Sequence, residues 1–223
     1  MLSNGIHIGR RGGVRLTGGG GETPWWLAGG ISAGNVVAAY QPKGAASLAA
    51  SYVNLANLGT YDLTSPSEPT WDAATGWAFG SGRHLRSGII LANRTGTVVV
   101  RFTNVTTGAL CGCHTPSFNG YLQMAPTSTT NRSYYHGGQL LVAGAVSSGI
   151  MAVAGGVCYL DGVNDGSTAV AGSGNYNSLY FGGWNNSGNV SAVTNGKIQA
   201  AFVASSTLTA GQVAALSAAM AAL

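Results

Sequence analysis

Charged side chains are scarce in this chain, at 7% of its 223 residues, against roughly a quarter in ordinary soluble domains. Ten basic and six acidic residues leave a net charge of +4. No long basic run exists, so a nucleic-acid partner is not expected. Three cysteines, Cys111, Cys113 and Cys158, are too few and too unevenly spaced for the disulfide framework of a secreted domain. There are only 6 prolines and no Gly-X-Y period, which excludes collagen. No apolar run approaches the roughly 20 residues that span a bilayer, so no membrane insertion is expected. The opening Met1-Leu2-Ser3-Asn4-Gly5-Ile6-His7 lacks a basic segment followed by an apolar stretch. Synthesis in a cytoplasm without a cleaved signal is the expectation.

Glycine is abundant instead, at 36 residues. Scattered among Ser, Thr, Asn, Val and Ala, it suits many short strands joined by tight turns. Thr97-Val98-Val99-Val100-Arg101-Phe102 is β-branched and strand-forming. Further strands are expected at Val36–Tyr40, Gly88–Leu91, Ala109–Cys113, Tyr121–Met124, Tyr134–His136, Gln139–Val142 and Gly149–Val153. Asp161-Gly162, between Val157-Cys158-Tyr159-Leu160 and Val163, reads as a hairpin turn. Near the end, Thr209 with Gln212 three residues on forms a capping box. Val213, Leu216 and Met220 then make one apolar stripe, a helix over 209–222 suited to lie on a sheet. No repeat of 20–50 residues argues for a solenoid or propeller.

Residues 1–24 read as a glycine- and arginine-rich N-terminal arm, and 25–223 as the packed domain. Gly9 to Gly21 holds seven glycines, so this stretch has few side chains to bury and a high ordering cost. Two readings fit it: a disordered tail, or an extended arm that orders against neighbouring subunits through Arg10, Arg11 and Arg15. Trp25 and Trp26 open the packed part as core anchors or subunit contacts.

The ordered motifs resemble a family. Asp62-Leu63-Thr64, Pro69-Thr70-Trp71, Phe79-Gly80, the Asp161-Gly162 hairpin, Leu179-Tyr180-Phe181-Gly182-Gly183 and Gly196-Lys197-Ile198 occur in the order seen in laminin-G-like domains. The chain is similar to those domains over roughly residues 31–223. The resemblance implies an all-β, concanavalin A-like (laminin-G-like) antiparallel β-sandwich jelly roll with a short C-terminal α-helix. Such domains are common in phage virion proteins. The resemblance therefore implies a structural or adhesive protein of a virus particle, assembling with itself and with other virion proteins and touching host glycans with its loops. The low charge agrees with that expectation, because charge is depleted at interface cores. The alternative is a carbohydrate-binding module of a cell-surface or extracellular system.

Little in the sequence points to catalysis or to metals. Glycoside hydrolysis uses two carboxylates flanking the scissile bond. The six acids, Glu22, Asp62, Glu68, Asp72, Asp161 and Asp165, never alternate on a strand, so no enzyme is expected. Calcium wants six to eight oxygens. Asp161 and Asp165 are its weak candidates, with turn formation as the simpler role. The family's usual Phe-Asp-Gly is Phe79-Gly80-Ser81 here, and Gln199-Ala200 stands where an acidic residue is often found. No cofactor is therefore expected. Cys111 and Cys113, one residue apart on a strand, share a face; buried thiols are the expected outcome. The remaining candidate is a glycan surface. Tyr176, Tyr180, Trp184, Asn185 and Asn186 combine flat aromatic faces with amides, the mixture that sugar faces and hydroxyls require. Tyr134-Tyr135-His136 offers a second patch. Core packing of the strand aromatics is the competing reading for both.

Overall fold

Strands punctuated by glycine build two sheets that pack face to face. The computed structural model describes residues 23–91, 94–114, 121–128, 130–168 and 177–223, without the side chains of Tyr121 and Ser128. Arg10, Arg11, Arg15 and Tyr176 lie outside the described residues. In chain order the strands are β1 (Val36–Tyr40), β2 (Thr64–Ser67), β3 (Thr70–Asp72), β4 (Gly76–Ala78), β5 (His84–Arg86), β6 (Thr97–Thr103), β7 (Cys111–His114), β8 (Tyr121–Ser128) and β9 (Asn131–His136). They continue as β10 (Gln139–Ala143), β11 (Gly149–Ala154), β12 (Val157–Leu160), β13 (Val163–Ser167), β14 (Tyr180–Phe181), β15 (Trp184–Asn186), β16 (Asn189–Ser191) and β17 (Lys197–Ala204). Helix α1 (Leu48–Ser51) is a single turn, and α2 (Ala210–Ala222) follows the last strand.

One sheet runs β13-β12-β11-β6-β17-β4-β3, with β1 also on β17. The other runs β10-β9-β8-β7-β14-β5-β2, with the β15–β16 hairpin attached through β7. Together they form an all-β, antiparallel jelly-roll-like sandwich with a short C-terminal helix. The one parallel pairing among the named strands is β15 on β7. Inward positions of the two sheets build the main core around Tyr40, Trp77, Phe102, Leu122, Met124, Tyr134, Met151 and Phe181. The segment Gly88–Leu91 does not form the expected strand. Gly88 turns the chain at φ +69°, and the pairing reduces to Leu179 N–H donating to the Ile89 carbonyl.

The first sheet is covered on its outer face as well. Val99, Ile150, Ala152, Tyr159, Ala200 and Phe202 point away from the sandwich into a second core, closed by Val213, Leu216 and Met220 of α2. The capping box at Thr209 and Gln212 forms as the sequence implies. Arg101 donates to the Met220 carbonyl at 2.6 Å, placing a cation where the helix dipole is negative. Trp25 and Trp26 are half-buried and pack on this second core. Their rings meet edge to face at 5.6 Å, and the Trp25 indole N–H donates to Gln41 Oε1. Both tryptophans thus have intramolecular packing to explain them.

The Asp161-Gly162 pair turns the β12–β13 hairpin with φ of +52° and +79°, the left-handed pair of a type I′ turn. The two calcium candidates differ: Asp161 is exposed and engaged through one oxygen, whereas the Asp165 carboxylate is engaged through both. Asp161 Oδ1 accepts from the Ile150 N–H at 2.8 Å. Asp165 pairs with Arg132 through two contacts, Nε–Oδ2 at 2.6 Å and Nη2–Oδ1 at 2.5 Å. It also accepts from the Tyr134 hydroxyl at 2.7 Å. Burial pulls the Asp165 carboxyl upward, but the hydrogen bonds from Arg132 and Tyr134 outweigh it and hold the group below its ordinary value. This cluster joins the two sheets across their β9 and β13 strands. Among the described residues, no three His, Cys, Asp or Glu side chains gather where a metal ion would sit. The three thiols are free and buried. Burial pushes Cys113 up to about 12, so none is poised as a nucleophile.

Candidate functional site

Among the described residues, the outer face of the second sheet carries no helix, and its outward side chains are mostly polar, with Leu141 an exposed exception on β10. Cross-strand registers place Arg86, Tyr180, Gly112, Gln123, Tyr135 and Gln139 in one row from β5 to β10. The centre of that row is a groove of about 500 Å³. Gln123, Ala125 and Thr127 of β8 and Ser133 and Tyr135 of β9 form its floor, and Trp184 forms one wall. Thr106–Gly108 and Ala192–Val193 complete its lining.

Gly112 explains how Trp184 reaches this position. A Cβ at residue 112 would lie 2.8 Å from Trp184 Cβ and 2.5 Å from the Leu122 carbonyl oxygen, inside any tolerable contact. A glycine between two core-facing cysteines therefore opens a seat on the outer face. His114 meets the Trp184 ring edge-on with centroids 5.0 Å apart, and its Nδ1 lies 3.2 Å from Asn186 Oδ1. The Thr106–Gly108 segment is held by side chain to backbone bonds. Asn195 Oδ1 accepts from the Thr106 and Thr107 N–H groups at 3.0 and 3.1 Å, and Thr194 donates to the Thr107 carbonyl. Gly108, at φ +87°, brings its Cα so close that a Cβ would fall 2.3 Å from the Val193 carbonyl oxygen. Both parts of the lining are thus fixed before a ligand arrives, which lowers the ordering cost of binding.

Of the residues expected to touch glycan, Trp184 lines the groove and is half-buried. Tyr135 of the second patch joins it and receives a hydrogen bond from Gln139 Nε2. Tyr180 is corrected to a structural role. It is 4% exposed, stacked on His84 at 5.1 Å and topped by Arg86 at 5.5 Å, and its hydroxyl donates to the Gly188 carbonyl. Asn185 is also structural: it is buried, donating to the Ser178 carbonyl and accepting from the Gly188 N–H. Asn186 is exposed at the hairpin. Tyr134 and His136 point inward and are buried. Burial, and then the charge of Arg94, push the His136 imidazole down to about 4. The sequence reading passed over Gln123, Thr127 and Ser133. Their signal was the alternation of polar with apolar residues along Leu122-Gln123-Met124-Ala125 and Ser133-Tyr134-Tyr135.

The arrangement offers one aromatic face, an amide and several hydroxyls in a shallow, walled channel. Among the described residues that line it there is no His, Cys, Asp, Glu, Lys or Arg. Sheet order and sandwich packing define an antiparallel jelly-roll-like architecture, and solved structures of the same fold exist. The chain is similar to Trypanosoma rangeli sialidase in complex with sialic acid, with a TM-score of 0.60 and 15% identity over 82% of this chain and 33% of that one. It is also similar to domain 4 of a GH43 extracellular arabinanase from Geobacillus stearothermophilus in complex with arabinotriose, with a TM-score of 0.51 and 17% identity, covering 82% of this chain and 98% of that domain. The chain therefore spans about a third of the sialidase's length. At such identities the likeness establishes the fold alone. No family model matches the chain, and no curated protein matches it.

Proposed function

We propose that this chain is a non-catalytic carbohydrate-binding domain that holds a saccharide in the groove lined by Trp184 and the Thr106–Gly108 loop. The observation that carries this reading is the Trp184 ring, seated over Gly112 and lining a polar channel. A pyranose or furanose presents an apolar C–H face to such a ring, while its hydroxyls need partners of the kind Gln123 and Ser133 provide. That an arabinanase domain of this fold was solved with arabinotriose supports the same direction. Glycan-array binding followed by calorimetry tests the reading. Binding that falls about thirtyfold in Trp184→Ala, the loss expected of a hot-spot aromatic, supports it. A folded wild-type chain that binds no glycan overturns it.

A second reading, assembly into a particle, has its own support. The chain is nearly uncharged, and Leu58, Tyr61 and Ile90 are exposed at 74%, 43% and 62%. Tyr61 and Ile90 share one surface depression, an apolar feature suited to subunit contact. Native mass measurement separates the readings: oligomers that dissociate in Ile90→Asp favour assembly, and single chains remove it.

A further inference from the structure

Among the described residues, the groove's lining is electrically neutral. Gln123, Thr127, Ser133, Tyr135, Trp184 and Thr107 supply its amide, hydroxyls and rings, and the remaining lining residues are small or apolar. The nearest cations of this sheet are directed elsewhere. Arg132 is tied in two contacts to Asp165 and in two more to the Ala143 and Gly144 carbonyls. Arg86 shares the row of Gln123 but stands three strands away, about 14 Å at the usual strand spacing, and its guanidinium lies over Tyr180. Trp184, over Gly112, stands between Arg86 and the groove floor. The internal stretches outside the described residues, 92–93, 115–120, 129 and 169–176, contain no charged residue.

We infer that the ligand of this groove is an uncharged saccharide and that sialic acids, uronic acids and sulfated sugars are excluded from it. The inference rests on the carbohydrate-binding reading above and narrows its ligand class. A carboxylate or sulfate seated here would lose water on entering and gain no cationic partner, and an unpaired charge is costly to desolvate. Neutral hydroxyls exchange their water for the amide and hydroxyls of the floor at little net cost. Discrimination therefore comes from the absence of a counter-charge among the described residues of the lining, where an unpaired anion is disfavoured.

The test uses the full chain against matched neutral and anionic oligosaccharides, arabino-, xylo- and gluco-oligomers beside sialylated, uronic and sulfated ones, at low and at 0.5 M salt. The expected result is binding to a neutral oligomer that is insensitive to salt and falls about thirtyfold in Trp184→Ala. Trp184→Phe, which keeps a ring, retains most of the affinity and guards against misfolding. Preferred binding of an anionic sugar, weakened by salt and lost in Trp184→Ala, overturns the neutral-ligand inference while leaving the groove as the site. Anionic binding unchanged in both Trp184 variants, or no binding to any sugar, removes the groove reading and this inference with it.

Discussion

The two sheets present outer faces built on the same alternation but with opposite chemistry. On the first, β6, β11 and β17 alternate between two apolar environments, so Val98, Val100 and Met151 face the main core while Val99, Ile150 and Phe202 face the helix. On the second, Leu122, Met124 and Tyr134 face the core, whereas Gln123, Ser133 and Tyr135 line an open groove. A face with β-branched and aromatic residues at outward positions gets covered; a face with an amide, hydroxyls and a glycine gap stays available. Coverage stabilises the fold and leaves no room for a ligand. The open face adds less to stability and is free to carry specificity. The comparison thus assigns stability to one surface of the sandwich and recognition to the other.

The largest effect is expected on the covered side. Leu216 is fully buried between α2 and the first sheet, and Leu216→Ala is expected to cost about 3 kcal/mol, the usual transfer-plus-cavity penalty. Urea unfolding measures it, and saccharide affinity of the folded fraction stays at the wild-type value. A large loss of affinity in Leu216→Ala would mean that the two faces are coupled, and the division between them would fail.

Acid is expected to act through groups that neither face uses. His136 takes a proton near 6.5 when unfolded but only near 4 when folded. Its folded pKa is depressed, so its contribution is complete above pH 6.5 and is lost progressively as pH falls toward 4. The loss is about 3 kcal/mol when complete. The carboxyl of Asp165, held below its ordinary value by Arg132 and Tyr134, adds a second loss below about pH 4, the ordinary range of a free carboxyl. Chemical denaturation at several pH values should show both steps, and His136→Gln should flatten the upper one alone. A stability unchanged from pH 7 to pH 4.5 would contradict the buried neutral imidazole.

Much of the fold is legible in the sequence, for physical reasons that also explain what is not. The continuous apolar run Val98-Val99-Val100 signals a strand buried on both faces, and Thr209 with Gln212 announces the helix that covers it. Trp184 stands out as an aromatic among amides. The groove does not stand out, because its floor lies on β8 and β9 and part of its lining on the loop before β7, brought together only by strand register. Register depends on pairing across the whole sheet and cannot be read from one segment. For Tyr180 the competing reading, packing within the fold, is the one its burial favours, for a related reason. Its position on β14 is outward, as alternation implies, but the β15–β16 hairpin folds back over it and the Gly188 carbonyl receives its hydroxyl. The role of Gly112 was hidden in the same way, since a glycine between cysteines reads as strand weakness until Trp184 is placed above it.

A middle-sized effect tests that seat directly. Gly112→Ala puts a methyl where Trp184 Cβ and the Leu122 carbonyl leave no space, so the ring must shift. Affinity is expected to fall about as far as in Trp184→Ala, roughly 2 kcal/mol in binding. Near-ultraviolet circular dichroism reports the displaced indole. Affinity preserved in Gly112→Ala would show that the ring position does not govern recognition.

The smallest effect separates the faces most cleanly, because each holds one buried hydroxyl without a hydrogen-bond partner among the described residues: Ser217 Oγ under the helix and Thr127 Oγ1 beside the groove floor. An orphaned polar atom in a dry core is a cost with nothing to offset it. Ser217→Ala removes it and improves helix propensity, for an expected gain of about 1 kcal/mol with binding untouched. Thr127→Val removes the other hydroxyl at nearly constant shape, and a stability gain of similar sign follows from the same argument. Its effect on binding is expected to differ: Thr127 lines the groove, and rotation about χ1 on binding would turn its buried hydroxyl out to a sugar, so the gain in stability comes with a loss of affinity of about threefold to tenfold. Thermal melts and titrations of both variants make the comparison. Equal behaviour, with stability raised and binding unchanged in each, would make Thr127 a packing defect like Ser217 and restrict recognition to the rest of the groove.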